Sequence, residues 1–414
     1  MTTQPAAYDP NVSREWGWSL LLITLPLWAV FPFGVFRPFE IAVLLVIIVA
    51  ITASNKSGYV RLTFLDCMVY IYALFYIFVV SVSSSEFYES ARAYRYLVLG
   101  PVLVYLAVRM LPFSPKAVSR AHLLMVFVIL IQTVIVILAF QEEWIRPRGT
   151  PNVFVGTIIT YSFFAALAFF FLLFNRPEFI NKTVSSLLLI CAATVLAFGV
   201  LASATRGVAL PMIVMLFLAY IIWKFDRVRK AFLVSLGAAL IGLLLVISIS
   251  PPAYVADETR ALEDRGSFER LYHGQDLMMS LSGRVYLWSL MMDKAMQRPV
   301  FGHGMSAGAV REAMSGESIV RLPAHGHNIL VSSMLTGGVI GLLLLMTMII
   351  YALILLSRFS ARQKQIMELQ KTFLLCFPIF IVILLTNDFA GGRATLFFFQ
   401  LGMIQQLSLH QYKR

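Results

Sequence analysis

Residues 329–356 read ILVSSMLTGGVIGLLLLMTMIIYALILL, a run without a single charged side chain. A run of this length can cross the hydrocarbon core of a bilayer as a helix, which takes about 20 apolar residues. Similar runs recur from one end of the chain to the other, and we count about twelve. The composition agrees, because 59% of the 414 residues are hydrophobic and only 13% are charged, against about 25% charged residues in soluble domains.

The twelve predicted spans cover residues 16–35, 38–53, 63–83, 94–110, 117–140, 153–174, 184–202, 208–223, 231–250, 328–356, 372–386 and 394–407. The sequence therefore predicts an all-α polytopic membrane protein that forms one integral membrane domain. Its first nine helices lie within residues 1–250, one long loop with amphipathic helices occupies 251–327, and three helices lie within 328–414. We expect membrane lipids as partners and no nucleic acid.

The short loops on one side of the predicted bundle are rich in lysine and arginine. They carry Lys56, Arg61, Lys116, Arg120, Arg176, Lys182, Lys224, Arg227, Arg229, Lys230, Arg358, Arg362, Lys364 and Lys371. Cytoplasmic loops of membrane proteins show this excess of positive charge. With an even number of spans, both termini are predicted to be cytoplasmic, and the loop at 251–327 is predicted to lie on the outer face.

The outer face is predicted to carry arginines with almost no lysine, Lys294 being the exception. Outside the long loop they are Arg37, Arg92, Arg95, Arg146, Arg148, Arg206 and Arg393. The planar guanidinium group binds phosphate through two hydrogen bonds, so this selection indicates a phosphate-bearing ligand. Pairing with neighbouring glutamates is the alternative interpretation. Arg206 stands out because it lies in a very short link between two apolar helices, where a charge is costly unless it faces protein, water or ligand.

The long loop contains the remaining candidate residues. An apolar stripe in it, made of Leu281, Val285, Trp288, Met292 and Ala295, has the spacing of an amphipathic helix. Arg284 lies beside this stripe.

Two histidines, His325 and His327, precede the tenth span, with Asn328 as its predicted N-cap. The positive end of the helix dipole disfavours an imidazolium, so His327 is suited to act as a general base. His303, between Gly302 and Gly304, is predicted to belong to a glycine turn.

Several reaction classes lack their motifs in this sequence. It has no phosphate-binding glycine loop with lysine, no metalloprotease histidine pair and no nucleophile-elbow serine. Energy for a reaction would therefore come from the substrate, and a polyprenyl-diphosphate sugar carries its own leaving group. A twelve-helix secondary transporter is the alternative from another class, although such folds show internal repeats that are not visible here.

Four segments together resemble the family of O-antigen ligases, O-antigen polymerases and bacterial protein O-oligosaccharyltransferases. In order, they are Arg148-Gly149-Thr150 with Pro151-Asn152; residues 203–207 around Arg206; Arg284 and Trp288 followed by Pro299, Gly302 and Gly304; and His325-Gly326-His327-Asn328 followed by Gly337, Gly338 and Gly341. They span residues 148–341, and the N-terminal helices match only in general character.

The resemblance implies transfer of a glycan from undecaprenyl diphosphate to an acceptor hydroxyl at the periplasmic face of the bacterial inner membrane. For the ligase branch, which the helix count and the single arginine-rich loop favour, the acceptor is lipid A-core. Arg206 and Arg284 match the diphosphate-binding arginines of the family, and Arg148 and Arg146 are assigned to the same group. His327 matches the histidine that activates the acceptor, and His325 is the second catalytic candidate.

We expect no cofactor and no metal ion. Metal-dependent oligosaccharyltransferases carry acidic ligands on a long first outer loop, whereas here only a few residues near Arg37 separate the first two spans. Cationic side chains would then offset the diphosphate charge. Polymerase and protein O-oligosaccharyltransferase activities remain alternatives because they use the same catalytic parts.

Overall fold

The computed structural model describes residues 10–27, 38–54, 62–83, 87–139, 158–175, 182–202, 206–223, 288–305, 328–359, 363–386 and 392–410, with single positions at 233, 237 and 241. All regular elements within these residues are helices, which confirms the predicted fold class. The candidate residues Arg146, Arg148, Arg284, His325 and His327 lie outside the described residues, and so does most of the long loop.

In chain order the helices are α1 (Pro10–Thr24), α2 (Pro38–Ser54), α3 (Phe64–Ser83), α4 (Phe87–Tyr94), α5 (Gly100–Met110), α6 (Pro115–Ala139), α7 (Ile158–Phe174), α8 (Lys182–Ala202), α9 (Arg206–Trp223), α10 (288–295), α11 (Ile329–Ser357), α12 (Lys364–Thr386) and α13 (Gly392–His410). A short 3-10 turn, Leu25–Leu27, follows α1, and a π-helical turn, Arg95–Leu99, joins α4 to α5. Each predicted span except the ninth overlaps a described helix, and the first, predicted at 16–35, is described only as far as residue 27. The count of twelve and the ninth span stay predictions.

The helices have the length and composition of membrane-spanning segments. Among the described residues, four stretches are long and apolar enough to cross a bilayer: Ser90–Met110, Pro115–Ile135, Ile329–Ser357 and Lys364–Leu385. Shorter apolar stretches lie at Phe64–Val80, Thr160–Phe174, Ser186–Leu201 and Val208–Trp223. The chain is therefore a membrane protein.

Helices α7 and α13 form the centre of the bundle. Residues 160–174 of α7 and 393–407 of α13 are buried on every side, as expected of a helix that is enclosed by other helices. Large aromatic rings fill this core; for example, the Phe397 ring lies 6.2 Å from Phe377 and 6.4 Å from Phe380, centroid to centroid. The outer helices present many exposed leucine and isoleucine side chains, a pattern that suits contact with lipid.

Contacts between helices fix their relative directions. The last residue of α9, Trp223, lies beside the second turn of α12, where the Lys371 Nζ is 5.8 Å from its ring centroid. Helix α11 ends at Ser357 and α12 begins at Lys364, close by in the sequence, so α9 and α11 both end at that end of the bundle. Both helices therefore start at the opposite end, with Arg206 and Ile329. The end of α9 and the start of α11 lie at opposite ends, which is the arrangement that a ninth span requires.

A buried ion pair closes the end of the bundle at which α9 and α11 finish. The Arg109 Nε donates to Asp66 Oδ1 at 2.7 Å, and a second guanidinium nitrogen donates to Asp66 Oδ2 at 2.9 Å. The Tyr105 hydroxyl also donates to Asp66 Oδ1, at 2.7 Å. Gln406 of α13 donates to the carbonyl oxygens of Val108 and Arg109 at the end of α5. A buried ion pair is tolerated when hydrogen bonds satisfy both partners in this way.

Helix α11 is interrupted at Gly338, whose φ of 61° and ψ of −162° are not helical. A continuous helix would pair the Val339 N–H with the Leu335 carbonyl and the Ile340 N–H with the Thr336 carbonyl. Here a second segment pairs with all of these groups instead. We call this segment, residues 299–304, the insert.

Backbone hydrogen bonds join the insert to the break. The Val339 N–H donates to Pro299 O at 2.7 Å and the Ile340 N–H to Val300 O at 3.5 Å. In return, the His303 N–H donates to Leu335 O at 2.8 Å and the Gly304 N–H to Thr336 O at 3.1 Å. Each broken helical bond is thus replaced by two bonds to the insert. In a membrane, an interrupted helix is tolerated only where such partners satisfy its backbone.

We expect Gly338→Ala to destabilise the protein severely. An added Cβ would lie 2.3 Å from the Val300 carbonyl oxygen, and the backbone conformation at this position is accessible almost only to glycine. The backbone strain alone should lower the free energy of unfolding by about 1–3 kcal/mol, and the clash adds to it. Thermal unfolding in detergent, followed by tryptophan fluorescence, measures the change.

Gly237→Ala is the matched control, because no heavy atom lies within 4 Å of a Cβ added there. Equal thermal stability of the two alanine variants would contradict the role assigned to the break.

Candidate active site

Helix α10 packs on the first half of α11 through a small apolar cluster. Met291 and Ala295 of α10 are buried together with Met334 and Leu335 of α11. The predicted amphipathic helix is confirmed over 288–295, but the predicted place of Met292 on its buried face is wrong, because this side chain is 38% exposed. Met291 takes that place. Met291 and Met292 lie three and four residues after Trp288, and both spacings fit one helix face. The position of α11 determines that Met291 is the buried residue.

The insert follows α10 directly and is tied back to it by His303. The His303 Nε2 lies 2.8 Å from the Lys294 carbonyl oxygen near the end of α10. A carbonyl oxygen can only accept, so Nε2 carries the hydrogen. Gly302 and Gly304 flank this residue with φ values of 71° and 98°, which confirms the predicted glycine turn. His303 is 8% exposed, so this contact lies inside the protein.

The start of α11 is capped as predicted. Asn328 has an extended backbone, and its side-chain oxygen accepts from the N–H groups of Leu330 at 2.9 Å and Val331 at 3.4 Å. The N-cap fixes the direction in which the preceding chain enters the helix. His327 is the residue next to this cap in the sequence, and its role stays a prediction.

Tyr76 of α3 supports the break from the side of the bundle core. Its side chain is 1% exposed, and its hydroxyl group hydrogen-bonds with the side chains of Ser333 and Thr336. A Cβ added to Gly337 would lie 2.5 Å from this hydroxyl oxygen, and one added to Gly341 would lie 2.8 Å from it. The two glycines of the motif therefore make room for a tyrosine.

Sequence analysis did not single out Tyr76. The available signal was a tyrosine inside an apolar span, because a buried tyrosine hydroxyl needs a hydrogen-bond partner on a neighbouring helix.

The arginines of the predicted outer face fall into separate environments. Arg95 in the π-helical turn forms a partly buried ion pair with Glu40. For this residue, therefore, pairing with a glutamate is the interpretation that holds. Arg393, in the first turn of α13, is 8% exposed, whereas Arg92 is exposed. Helix α9 begins at Arg206, at the same end of the bundle as the start of α11.

The structure thus places the helices and turns beside several candidate residues, while the joint site of the arginines and histidines stays a prediction. Arg284 lies four positions before Trp288 in α10, and His327 lies two positions before Ile329 in α11. The elements that follow these two residues are joined by the insert and by the Met291 cluster.

Comparison with known proteins gives a family match for part of the chain. Residues 187–346 match the O-antigen ligase family. No curated protein was found to match the sequence.

The matched region contains three of the four motif segments, those around Arg206, from Arg284 to Gly304 and from His325 to Gly341, together with the insert and the break in α11. Members of this family are glycosyltransferases. The match over residues 187–346 of this membrane protein therefore confirms the family resemblance seen in its motifs.

Proposed function

We propose that this protein is an O-antigen ligase, a metal-independent inverting glycosyltransferase. It moves a glycan from undecaprenyl diphosphate to a hydroxyl group of lipid A-core and thereby completes lipopolysaccharide. The reaction takes place at the periplasmic face of the inner membrane, and both termini of the chain are cytoplasmic.

The observation that carries this proposal is the junction of α10, the insert and α11 inside the matched region. The donor-binding candidate Arg284 precedes one of these helices, and the base candidate His327 precedes the other. A transferase has to hold its donor and its base at a fixed separation, because small errors in their relative position slow the reaction strongly. A break satisfied by four backbone hydrogen bonds suits that requirement.

The donor diphosphate is held by arginines. Arg206 starts α9, so a ligand there would meet both a guanidinium group and the N–H groups of a helix N-terminus, which favour anions. Arg284, Arg148 and Arg146 complete the set. As the bond between the sugar and the diphosphate breaks, negative charge grows on the leaving oxygen, and charge-assisted hydrogen bonds to arginine strengthen. In this proposal arginine takes the place of a divalent cation.

His327 activates the acceptor. It removes the proton from the acceptor hydroxyl while that oxygen attacks the anomeric carbon from the face opposite the diphosphate, so the configuration inverts. The new glycosidic bond forms as the bond to undecaprenyl diphosphate breaks, and the proton ends on the imidazole. A place beside the Asn328-capped end of α11 keeps this imidazole neutral and able to accept a proton. His325 assists from the same loop.

The gene deletion test separates ligation from its closest alternative, polymerisation. A deletion strain of a ligase should lose all capped lipopolysaccharide on a gel while polymerised glycan remains on its lipid carrier. Caps of a single repeat would identify a polymerase instead, and unchanged lipopolysaccharide would direct attention to a protein acceptor. The family match supports a transferase over a secondary transporter; uptake of substrate by proteoliposomes would reverse that conclusion.

We expect His327→Ala to abolish capping in the complemented deletion strain. Loss of a general base lowers a rate by roughly 100- to 10,000-fold, while donor binding, which depends on the arginines, should survive. Transfer and binding of the lipid-linked donor are measured separately on purified protein. His325→Ala, two residues away in the same loop, is the matched control and should be milder. Full transfer by His327→Ala, or loss of its donor binding with the fold intact, would remove this histidine from the base role.

We expect Arg206→Lys and Arg284→Lys to be severely impaired at equal abundance in the membrane. Lysine retains the positive charge but not the planar pair of donors that binds a diphosphate oxygen pair. Capping in the deletion strain and donor affinity in detergent measure the effect. Arg92→Lys, at an exposed arginine on the same predicted face, should behave like the unmodified protein. Near-normal ligation by both lysine variants would refute the two-point binding of the diphosphate.

A further inference from the structure

We propose that His303 is a positioning residue of the transferase, holding α10 at a fixed place on α11 through one side-chain hydrogen bond. The proposal rests on the proposed function, because its purpose is to keep the Arg284 side of the site in register with the His327 side. The imidazole itself does not touch the reacting atoms in this scheme.

His303 bonds to both helices at once. Its backbone N–H donates to Leu335 O at the break in α11, at 2.8 Å. Its side-chain Nε2–H donates to Lys294 O in the last turn of α10, also at 2.8 Å. The residue is 8% exposed, so water competes little for either bond. A single residue, His303, thus connects the break to the end of α10.

The turn after α10 and an apolar cluster also hold this helix. The turn after α10 is held by bonds between near neighbours, from the Gln297 N–H to Lys294 O at 3.0 Å and from the Arg298 N–H to Ala295 O at 3.1 Å. Such bonds shape the turn without setting the tilt of α10 against α11. The apolar cluster of Met291, Ala295, Met334 and Leu335, with Leu290, Val331 and Leu342 packed against it, also joins α10 to α11, but apolar contacts are not directional. The His303 bond is directional and spans nine residues of chain.

The backbone of the insert leaves little freedom at its other end. A Cβ added to Gly302 would lie 2.6 Å from the Thr336 carbonyl carbon, so the insert contacts α11 backbone against backbone. A hydrogen bond that starts from this rigid segment transmits its position to α10. Loss of the bond should let α10 tilt, and a tilt would displace Arg284, which lies four positions before Trp288 in the sequence. Misplacement by about 1 Å at a reacting centre can cost roughly 100-fold in rate.

Two substitutions separate the hydrogen bond from the volume of the ring. His303→Phe retains a planar ring without a donor, whereas His303→Gln retains an N–H donor on a flexible chain. We expect His303→Phe to lower the turnover number of purified ligase about tenfold with an unchanged donor dissociation constant. We expect His303→Gln to recover most of the activity. Turnover is measured at saturating donor and acceptor, and the donor dissociation constant by direct titration.

A distance measurement tests the same proposal without any assay of transfer. The exposed Cys67 and Cys191 are first changed to alanine. Cysteines that carry spin labels are then introduced in place of Asp293 on α10 and Leu343 on the second half of α11, both exposed. The distance distribution between the labels should be narrow in the parent protein and in His303→Gln, and broader in His303→Phe.

The outcomes distinguish this proposal from the proposed function. An unchanged distribution in His303→Phe overturns the positioning role, whatever the activity. A broadened distribution with wild-type turnover also overturns it, because positioning would then have no effect on transfer. If the parent protein ligates nothing, the proposed function fails, and a broadened distribution in His303→Phe still establishes His303 as the tie between α10 and α11.

Discussion

The backbone of an interrupted helix must find hydrogen-bond partners when water is absent, and α11 depends on this constraint. At Gly338 the helix loses two of its internal bonds, and the insert supplies a partner for each of the four groups released. An unsatisfied backbone group in hydrocarbon costs several kcal/mol, so the break and the insert can exist only together. Backbone hydrogen bonds thus make the conformation of α11 depend on that of the insert in the long loop.

This coupling explains why both the insert and helix α11 contain glycines at their contact. Gly302 lets the insert approach the backbone of α11, and Gly338 adopts the conformation that opens it. Gly337 and Gly341 leave space for the hydroxyl of Tyr76, which brings α3 against the same turn. The loop is therefore anchored to the bundle at a point well inside a helix, and the insert holds α10 on α11. Preorganisation of this kind is what a reaction between two large lipid-linked substrates requires.

The spans could be predicted from the sequence because lipid selects apolar stretches of a given length. The cap at Asn328 and the turn around His303 followed from local chemistry, since amide side chains cap helices and glycine permits positive φ. Features that depend on a distant partner could not be predicted. The break at Gly338 needs the insert, and the choice of Met291 over Met292 needs α11. Helix α12 begins at Lys364, before the predicted start at 372. Its first turns are amphipathic, and their charged residues lower the mean hydropathy below that of a membrane span.

The arginines also show that features dependent on a distant partner could not be predicted from the sequence. A guanidinium group that is engaged by a carboxylate cannot offer the same donors to a diphosphate, so counting arginines on one face overestimates phosphate binding. Arg95 belongs to the engaged kind through Glu40, and Arg109 does so at the other end of the bundle through Asp66. Neither acid is close to its partner in sequence, so charge patterning could not reveal these pairs. Arginines that bind the donor diphosphate are better predicted from the helices that carry them. Arg206 begins a helix and Arg284 lies four positions before Trp288 of α10 in the sequence, and in both cases the helix lies within the region that matches the ligase family.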